Sequence, residues 1–133
     1  MTSKSLLLHE VGLRDGLQME SQVVTLEKKA AWLSGLLESG LDIIQVGSFV
    51  HPVKMPQMAD TDELFRRFTA EKKSKAILSG LVLNEKGLER GLACGVEMFC
   101  LGVSASETHS RKNTGMGTDE AIARIIPAAK AAL

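Results

Sequence analysis

Aromatic residues are scarce in this 133-residue sequence, which contains four Phe, one Trp and no Tyr. Such a sequence is poorly suited to bind single-stranded nucleic acid, because that binding relies on bases stacking on aromatic rings. Excess charge is also absent, since 16 basic residues balance 16 acidic residues. No net field therefore attracts nucleic acid or an anionic membrane surface. We expect neither a nucleic-acid partner nor a membrane partner.

The sequence also lacks a long apolar run and the apolar core and cleavage site of a signal peptide. A transmembrane helix needs about 18 or more consecutive apolar residues. We therefore expect the protein in the cytoplasm, or in an organelle matrix after processing. Hydrophobic residues make up 44% of the chain and charged residues 24%, which is typical of a globular protein. The length predicts that residues 1–133 form a single domain.

Cysteine and histidine patterns typical of metal sites are missing. Cys94 and Cys100 are too far apart for a CxxC metal pair or redox motif, and both lie in or beside apolar segments. We interpret them as small core residues. His9, His51 and His109 are not paired with one another at a spacing of two or four residues. We expect them in loops or at strand ends rather than as metal ligands.

Strand-like and helix-like segments alternate along the chain. The predicted strands are residues 6–12, 41–48, 76–83 and 96–103. Helices are predicted over residues 25–39, from Thr61, over residues 84–95 and from Thr118. Gly40 and Gly95 are expected to end the first and third helices. Thr61, Asn84 and Thr118 are expected to be caps, and Pro127 is expected to kink the last helix.

Four strand–helix units in succession predict an α/β fold with a parallel sheet and right-handed crossovers. Two architectures fit this pattern: the first half of a TIM (β/α)8 barrel and a small doubly wound sheet. The connections after strands, residues 13–24, 49–60 and 104–117, are long and contain most of the unusual residues. Long functional loops in this position are typical of a TIM barrel, which we favour. A doubly wound sheet also binds ligands at this edge, so both architectures stay open at this point.

Arg14 and Asp15 follow the first predicted strand in the string EVGLRDGLQ at residues 10–18. Glycines on both sides let the backbone turn sharply and let a ligand approach closely. At such a position a carboxylate can bind a divalent metal ion, and a guanidinium can stabilise an oxygen atom that gains negative charge. The alternative interpretation is a surface salt bridge in a turn.

Three strings together, GLRDGLQME, SFVHPVKMPQMAD and SASETHSRKN, resemble the 3-hydroxy-3-methylglutaryl-CoA lyase family over essentially the whole chain. The motif Arg-Asp-Gly-x-Gln is shared by a wider group of metal-dependent barrels that make or break C–C bonds next to acyl-CoA or 2-oxo acids. SFVHPVKMPQMAD is closer to the lyases than to the isopropylmalate or homocitrate synthases. Because the family barrel has eight strands, the resemblance implies that this chain is its truncated N-terminal (βα)4 half.

The resemblance also implies roles for individual residues. Asp15 would bind Mg²⁺ or Mn²⁺, with the other metal ligands outside this chain. Arg14 would bind the substrate and stabilise the enolate-like thioester oxygen that forms as the C–C bond breaks. Gln18 would orient these groups on the substrate. Ser48 would line the acyl side of the substrate site, with a simple strand-end hydroxyl as the alternative.

Gln45 departs from the family pattern, which has a glutamate at the end of the second strand. The amide removes a negative charge and the capacity to relay a proton beside Arg14. This change would weaken the activity or alter the substrate, and Gln45 remains a catalytic candidate together with Arg14 and Asp15. Arg111 and Lys112 could meet a CoA phosphate, but we favour a solvated charged loop.

Three hypotheses follow from the sequence and the resemblance. The first is metal-dependent cleavage of a 3-hydroxyacyl-CoA to acetyl-CoA and an oxo acid, with the 133-residue chain inactive alone. The second is a condensing synthase of the same barrel group, which would use acetyl-CoA and a 2-oxo acid. The third is a non-catalytic half barrel whose open edges self-associate. The expected partners are an acyl-CoA substrate and either a second copy of the chain or a complementary half barrel.

Overall fold

A computed structural model describes residues 5–70 and 72–133. Strands and helices alternate in this part of the chain. Their bounds are β1 His9–Glu10, α1 Leu26–Glu38, β2 Ile43–Ser48, α2 Thr61–Thr69, β3 Ile77–Val82, α3 Glu85–Cys94, β4 Met98–Leu101, α4 Glu107–Thr114 and α5 Thr118–Ala132.

The strands form a parallel sheet in the order β1-β2-β3-β4. Each crossover therefore adds the next strand beside the previous one, as in the first four units of a TIM barrel. A doubly wound sheet instead reverses its strand order at one point. The structure confirms the predicted α/β fold and the half-barrel arrangement, and it excludes the doubly wound alternative for the described sheet.

Helix ends follow the capping signals in the sequence. The Thr25 side chain accepts a hydrogen bond from the Lys28 N–H at the start of α1, and Asn84 accepts one from the Gly87 N–H at the start of α3. Gly40 and Gly95 follow α1 and α3 with φ angles of 81° and 79°. Glycine adopts this left-handed conformation without strain, and both predicted helix ends are confirmed.

The first predicted strand, residues 6–12, is mostly wrong. β1 contains only His9–Glu10, and the three leucines before it are exposed. The Leu8 backbone is hydrogen-bonded to Asp42 and Ile43, but the three side chains stay in solvent, so their apolar character does not extend the strand. After β1, the chain forms a π-helical turn over Gly12–Gly16 instead of continuing in an extended conformation.

Two predicted helix caps shift by one residue. Thr61 is the first residue of α2, and its hydroxyl donates to the Met58 carbonyl at 2.8 Å. Thr118 likewise is the first residue of α5, after Gly117. A further helix, α4, lies within the predicted loop 104–117, and the Ser106 side chain caps it by accepting from the backbone of His109.

The predicted kink at Pro127 does not end α5, which continues to Ala132. Proline removes one helical hydrogen bond. Ala121 and Ala128 are buried on either side of it, and α5 packs against α3, α4 and β4.

The core lies between the sheet and the helices α1, α2 and α3. Leu33, Ile44, Phe65 and Leu78 are fully buried there. β2 is buried over its whole length, so the residues at its carboxyl end are held firmly. Cys94 is buried as expected, whereas Cys100 is only half-buried.

The other side of the sheet is the inner face. In-register pairing places its side chains together, because paired residues on parallel strands point to the same side. We define it by His9, Ile43, Gln45, Ile77, Ser79, Leu81, Met98 and Cys100. In a closed barrel this face points to the barrel interior. Across residues 5–70 and 72–133, no helix is both long and apolar enough to cross a bilayer.

Candidate functional site

Arg14, Asp15 and Gln45 form one hydrogen-bonded cluster: Arg14 and Asp15 lie in the turn beyond β1, and Gln45 is the third residue of β2. The Arg14 Nε–H donates to Gln45 Oε1 at 2.6 Å, and its Nη1 donates to Asp15 Oδ1 at 3.0 Å. The Gln45 residue is 3% exposed and the Arg14 side chain is 20% exposed. The structure therefore brings together the three residues that the sequence proposed as catalytic.

The turn after β1 makes this contact possible. The backbone N–H groups of Arg14 and Asp15 both donate to the Val11 carbonyl, at 3.1 and 2.8 Å. The Gly12 N–H donates to the Glu10 carboxylate at 2.6 Å, and a Cβ on Gly12 would lie only 2.7 Å from that oxygen. A larger residue at this position would therefore have to displace the Glu10 carboxylate, and the hydrogen bonds to Val11 are what close the turn.

Asp15 is the most open member of the cluster, with 65% of its side chain exposed. Only one of its two carboxylate oxygens is bonded to Arg14, so the group can supply an oxygen ligand to a hard divalent cation. In the part of the chain that the structure describes, no group of three or more His, Cys, Asp or Glu residues is arranged to hold a metal ion. Asp15 fits the role of a single ligand, and further ligands would have to come from elsewhere.

Gln18 and Ser48 each have a buried oxygen atom without a hydrogen-bond partner among the described residues. The atoms are Gln18 Oε1 and Ser48 Oγ, and Ser48 is fully buried at the end of β2. Leaving a buried polar atom unpaired costs about 1–3 kcal/mol. Such atoms are suited to bind a water molecule or a polar ligand group, which fits the substrate-binding roles predicted for both residues.

The loops that follow all four strands meet around a cavity of about 330 Å³, which we call the loop cavity. Gln18 follows β1, His51 follows β2, Asn84 follows β3 and Asn113 follows β4. The carboxyl ends of the strands therefore converge, as the half-barrel fold requires. Arg14, Asp15 and Ser48 lie outside the lining of this cavity.

The charged residues of the loop after β4 bond mainly within that loop. Arg111 contacts Glu107 at 2.8 Å, and Lys112 is exposed. The Thr118 N–H donates to the Glu107 carboxylate at 2.9 Å, and this hydrogen bond lowers the pKa of Glu107. A CoA contact by Arg111 or Lys112 stays a prediction.

Each histidine bonds to a nearby polar group. His9 Nε2 and Ser79 Oγ are 2.8 Å apart on the inner face, and His109 Nδ1 lies 2.7 Å from Ser104 Oγ. His51 Nδ1 accepts from the backbone of Val53 at 3.3 Å.

Lys29 is a residue that the sequence interpretation missed. It is 3% exposed, and its ammonium group donates to the Gln57 carbonyl at 2.5 Å and to Asp60 Oδ1 at 2.6 Å. The Gln57 side chain in turn donates to the Glu20 carbonyl at 2.7 Å. These bonds tie α1, the loop after β2 and the loop after β1 together.

A sequence signal for Lys29 was present in the helical spacing. The residue follows Leu26 by three positions and precedes Leu33 by four, so it lies on the apolar side of α1. A charged residue on that side of a helix indicates a buried ion pair.

Comparisons with known proteins all find similarity to hydroxymethylglutaryl-CoA lyases and their family. The family model described as HMGL-like matches residues 5–133. A hydroxymethylglutaryl-CoA lyase of Bacillus subtilis is 39% identical over 119 residues, which are 90% of this chain and 39% of the relative. A 3-hydroxy-3-isohexenylglutaryl-CoA/hydroxy-methylglutaryl-CoA lyase of Pseudomonas aeruginosa is 36% identical over 129 residues, which are 97% of this chain and 42% of the relative.

Solved structures give the same result. The crystal structure of the Bacillus subtilis HMG-CoA lyase matches with a TM-score of 0.90 and 34% identity, over 96% of this chain and 42% of that chain. An HMG-CoA lyase from Acinetobacter baumannii, solved in complex with coenzyme A and 3-methylmalate, matches with a TM-score of 0.87 and 33% identity, over 98% of this chain and 43% of that one. The chain spans about two fifths of the length of these relatives.

Proposed function

The chain belongs to the HMGL-like family, and on that premise we propose that it is the N-terminal (βα)4 part of a metal-dependent C–C lyase. The proposed substrate is a 3-hydroxyacyl-CoA of the 3-hydroxy-3-methylglutaryl-CoA type, and the products are acetyl-CoA and an oxo acid. The hydrogen-bonded cluster of Arg14, Gln45 and Asp15, between the turn beyond β1 and β2, is the observation that carries the proposal.

The proposed reaction needs a site that stabilises negative charge. The 3-hydroxyl group loses its proton, the C2–C3 bond breaks, and the electron pair moves onto the thioester to form an enolate. Protonation of the enolate carbon then gives acetyl-CoA. The Arg14 guanidinium is held beside β2 by Gln45 and Asp15, where it can stabilise the charged thioester oxygen.

The remaining site residues have binding roles in this proposal. Asp15 would hold a divalent cation, Mg²⁺ or Mn²⁺, which polarises substrate oxygen atoms when it is bound. Gln18 Oε1 and Ser48 Oγ are unpaired in the described part of the chain and would bind polar groups of the substrate. The loop cavity would admit the acyl-CoA from the open side of the sheet.

A complete metal site would need ligands beyond Asp15, so we propose that residues 1–133 form one domain that works with a complementary half barrel. With acyl-CoA and Mg²⁺ or Mn²⁺ but without that half, the chain should give no turnover. In the absence of the complementary half, we propose that a second copy of the chain covers the inner face.

The proposal can be tested with a chimera. The chain would be fused to the part of the Bacillus subtilis lyase that lies beyond the matched segment, since the two structures superpose over 96% of this chain. We expect metal-dependent release of acetyl-CoA from 3-hydroxy-3-methylglutaryl-CoA, and loss of this activity in the Asp15→Asn chimera. A folded chimera that cleaves no acyl-CoA with either metal would overturn the proposal.

Gln45 favours a second candidate function, condensation of acetyl-CoA with a 2-oxo acid. An amide cannot accept the proton that cleavage removes from a hydroxyl group. The same chimera, assayed for condensation with a series of 2-oxo acids, separates the two functions. Condensation without cleavage would select the synthase.

A further inference from the structure

A cleft lies between α2, α3 and the loop after β2. Its volume is about 520 Å³, which is within the range of small-molecule sites, about 300–1,000 Å³. The loop contributes apolar residues to the lining, among them Val50 and Pro52. The polar side chains that line this α2–α3 cleft are His51, Asp62, Arg66, Asn84, Lys86 and Arg90.

Arg90 is a fixed cation of the α2–α3 cleft. Its Nε donates to Asp62 Oδ2 at 3.1 Å, its Nη2 donates to Asp62 Oδ1, and its Nη1 donates to the Val50 carbonyl at 2.9 Å. The guanidinium carbon also lies 5.6 Å from the centre of the Phe49 ring. These hydrogen bonds use three of the five N–H groups and leave two. The guanidinium is therefore held in place by α2 and the loop after β2 before a ligand arrives.

The lining has an excess of positive charge. Among the described residues, Asp62 is the only carboxylate that lines the cleft, and it is paired with Arg90. Lys86 is exposed and forms no ion pair within residues 5–70 and 72–133. Arg66 lies 4.0 Å from Glu63, outside the lining, and both side chains are at least half exposed, so this pair is weak. Three cations and one carboxylate leave two excess positive charges when the histidine is neutral.

Hydrogen bonds within the cleft also leave N–H donors available. Asn84 Oδ1 accepts from the Gly87 N–H at 2.9 Å, so the donors of its amide remain. His51 Nδ1 accepts from the Val53 N–H at 3.3 Å, so the neutral ring carries its proton on Nε2. Donors and positive charge together favour an anion with several acceptor oxygens.

We propose that the α2–α3 cleft binds the phosphate group of a small ligand, either a phosphate monoester or inorganic phosphate. A phosphate monoester carries a charge of about −1.5 to −2 at pH 7 and three strong acceptor oxygens. Its charge balances the excess of the lining, and its oxygens can accept from Arg66, Lys86 and Arg90. The site differs from that of the proposed lyase reaction, because Arg14 and Asp15 do not line the cleft.

A neighbouring cavity between α1 and α2 is also basic but is a poorer candidate. Arg66 lines both cavities, whereas Lys73 lines only the neighbouring one. Two further cations there, Arg67 and Lys72, are in ion pairs of 2.8 and 2.6 Å, and Glu38 adds a negative charge to the lining. Lys73 therefore provides a matched control for the α2–α3 cleft.

Calorimetric titration of the 133-residue chain at about pH 7.5 tests the site with three probes. We expect glycerol 3-phosphate to bind with a Kd below about 1 mM. Dimethyl phosphate carries one negative charge and should bind at least about tenfold more weakly, the factor that one charge-assisted hydrogen bond supplies. Inorganic phosphate distinguishes the two sources: weaker binding than glycerol 3-phosphate assigns the cleft to an ester, and equal or tighter binding assigns it to the free ion.

Variants locate the bound phosphate. Lys86→Gln and Arg66→Gln each remove one charge from an exposed side chain, so the fold is kept. Each should weaken the binding of glycerol 3-phosphate, or of inorganic phosphate if that binds more tightly, about tenfold. Lys73→Gln removes the same charge outside the cleft and should change the Kd by less than about twofold.

The inference is overturned if neither glycerol 3-phosphate nor inorganic phosphate binds below about 1 mM, or if dimethyl phosphate binds as tightly as the monoester. It is also overturned if Lys73→Gln weakens binding as much as Lys86→Gln, because the anion would then lie between α1 and α2. Failure of the proposed function is recognised separately, as absence of turnover in the chimera.

Discussion

Lys29 is a charged residue at a position of α1 where the helical spacing predicts an apolar one. The buried Lys29 ammonium is balanced by Asp60 and by the Gln57 carbonyl, and the Gln57 side chain reaches the loop after β1. A buried charge is tolerated only when it is paired and hydrogen-bonded. Lys29 therefore helps to hold the loop after β2, and Gln57 connects that loop to the loop after β1.

Replacing Lys29 by Met should destabilise the protein by about 2–3 kcal/mol, because the Asp60 carboxylate loses its partner in a site that is only partly open to solvent. Urea unfolding followed by circular dichroism measures this free energy. The control is Lys28→Met, an exposed residue whose ammonium lies 5.3 Å from the Trp32 ring. We expect this control to change the free energy of unfolding by less than about 1 kcal/mol. Equal effects of the two substitutions would contradict the role assigned to Lys29.

The two cysteines should differ in reactivity. Burial raises the pKa of the Cys94 thiol, which keeps it protonated where an exposed thiol begins to ionise. Cys100 is half-buried on the inner face. We expect iodoacetamide at mildly alkaline pH to modify Cys94 about tenfold more slowly than Cys100. Mass spectrometry of Cys94→Ser and Cys100→Ser variants assigns the two rates, and faster modification of Cys94 would show that its environment is open.

At the scale of single elements, two helical glycines should respond in opposite ways to alanine. A Cβ on Gly87 of α3 would lie 2.7 Å from the Phe49 backbone oxygen, whereas a Cβ on Gly35 of α1 would have no atom within 4 Å. Gly87→Ala should therefore destabilise the protein by about 1–3 kcal/mol. Gly35→Ala should stabilise it by about 0.5–1 kcal/mol, since alanine reduces the freedom of the unfolded chain. Thermal unfolding of both variants gives the two signs, and a loss of stability in Gly35→Ala would contradict the open space at that position.

The local stability of the corner between α4 and α5 should depend on pH. The Thr118 N–H lowers the pKa of Glu107, and the Arg111 charge acts in the same direction. A carboxylate with a lowered pKa stabilises the folded state above its ordinary pKa, and this contribution is lost as the pH falls through the folded-state value. Hydrogen exchange at the Thr118 amide, corrected for its intrinsic pH dependence, should therefore accelerate in that acidic range. In Glu107→Gln this additional acceleration should disappear, and an unchanged profile in that variant would assign it to another group.

The sequence predicts some elements better than others, for a physical reason. Asn84 and Gly95 delimit α3 through local hydrogen bonds and a local φ angle, so a short stretch of sequence is sufficient to place the helix. The residues before β1 look like a strand because three leucines are adjacent. Their conformation instead depends on whether distant residues bury the side chains, and the side chains of residues 6–8 are exposed. The helix α4 was missed because its eight residues, ETHSRKNT, have no apolar stripe.

Some features of the candidate site can likewise be predicted from the sequence, and others cannot. The Arg14-Asp15-Gly16 motif and its place after a strand are visible in the sequence, and the cluster with Gln45 follows from the order of β1 and β2 in the sheet. The direction of the Gln45 amide depends on which atom meets the guanidinium. The unpaired oxygens of Gln18 and Ser48 depend on the packing around them. Neither property can be read from a linear pattern.

At the scale of the whole molecule, apolar surface lies on the inner face and beside both outer strands. Ile77 on the inner face is 38% exposed. Beside β1, a groove is lined by Leu13, Leu17 and Trp32, and beside β4 another is lined by Phe99, among other residues. An open parallel sheet with such surfaces is prone to pair with another chain.

This arrangement predicts that the 133-residue chain associates with itself when no complementary half is present. Light scattering over a range of protein concentrations should show a mass well above 14.3 kDa that falls on dilution. Ile77→Lys puts a charge on the inner face and should shift the equilibrium towards the monomer, since burying an unpaired ammonium is costly. Leu92→Lys is the matched control, because Leu92 is exposed on α3, on the helical side of the sheet. A chain that stays monomeric with cooperative unfolding would contradict this prediction, and a stronger effect of Leu92→Lys would place the contact on the helices instead.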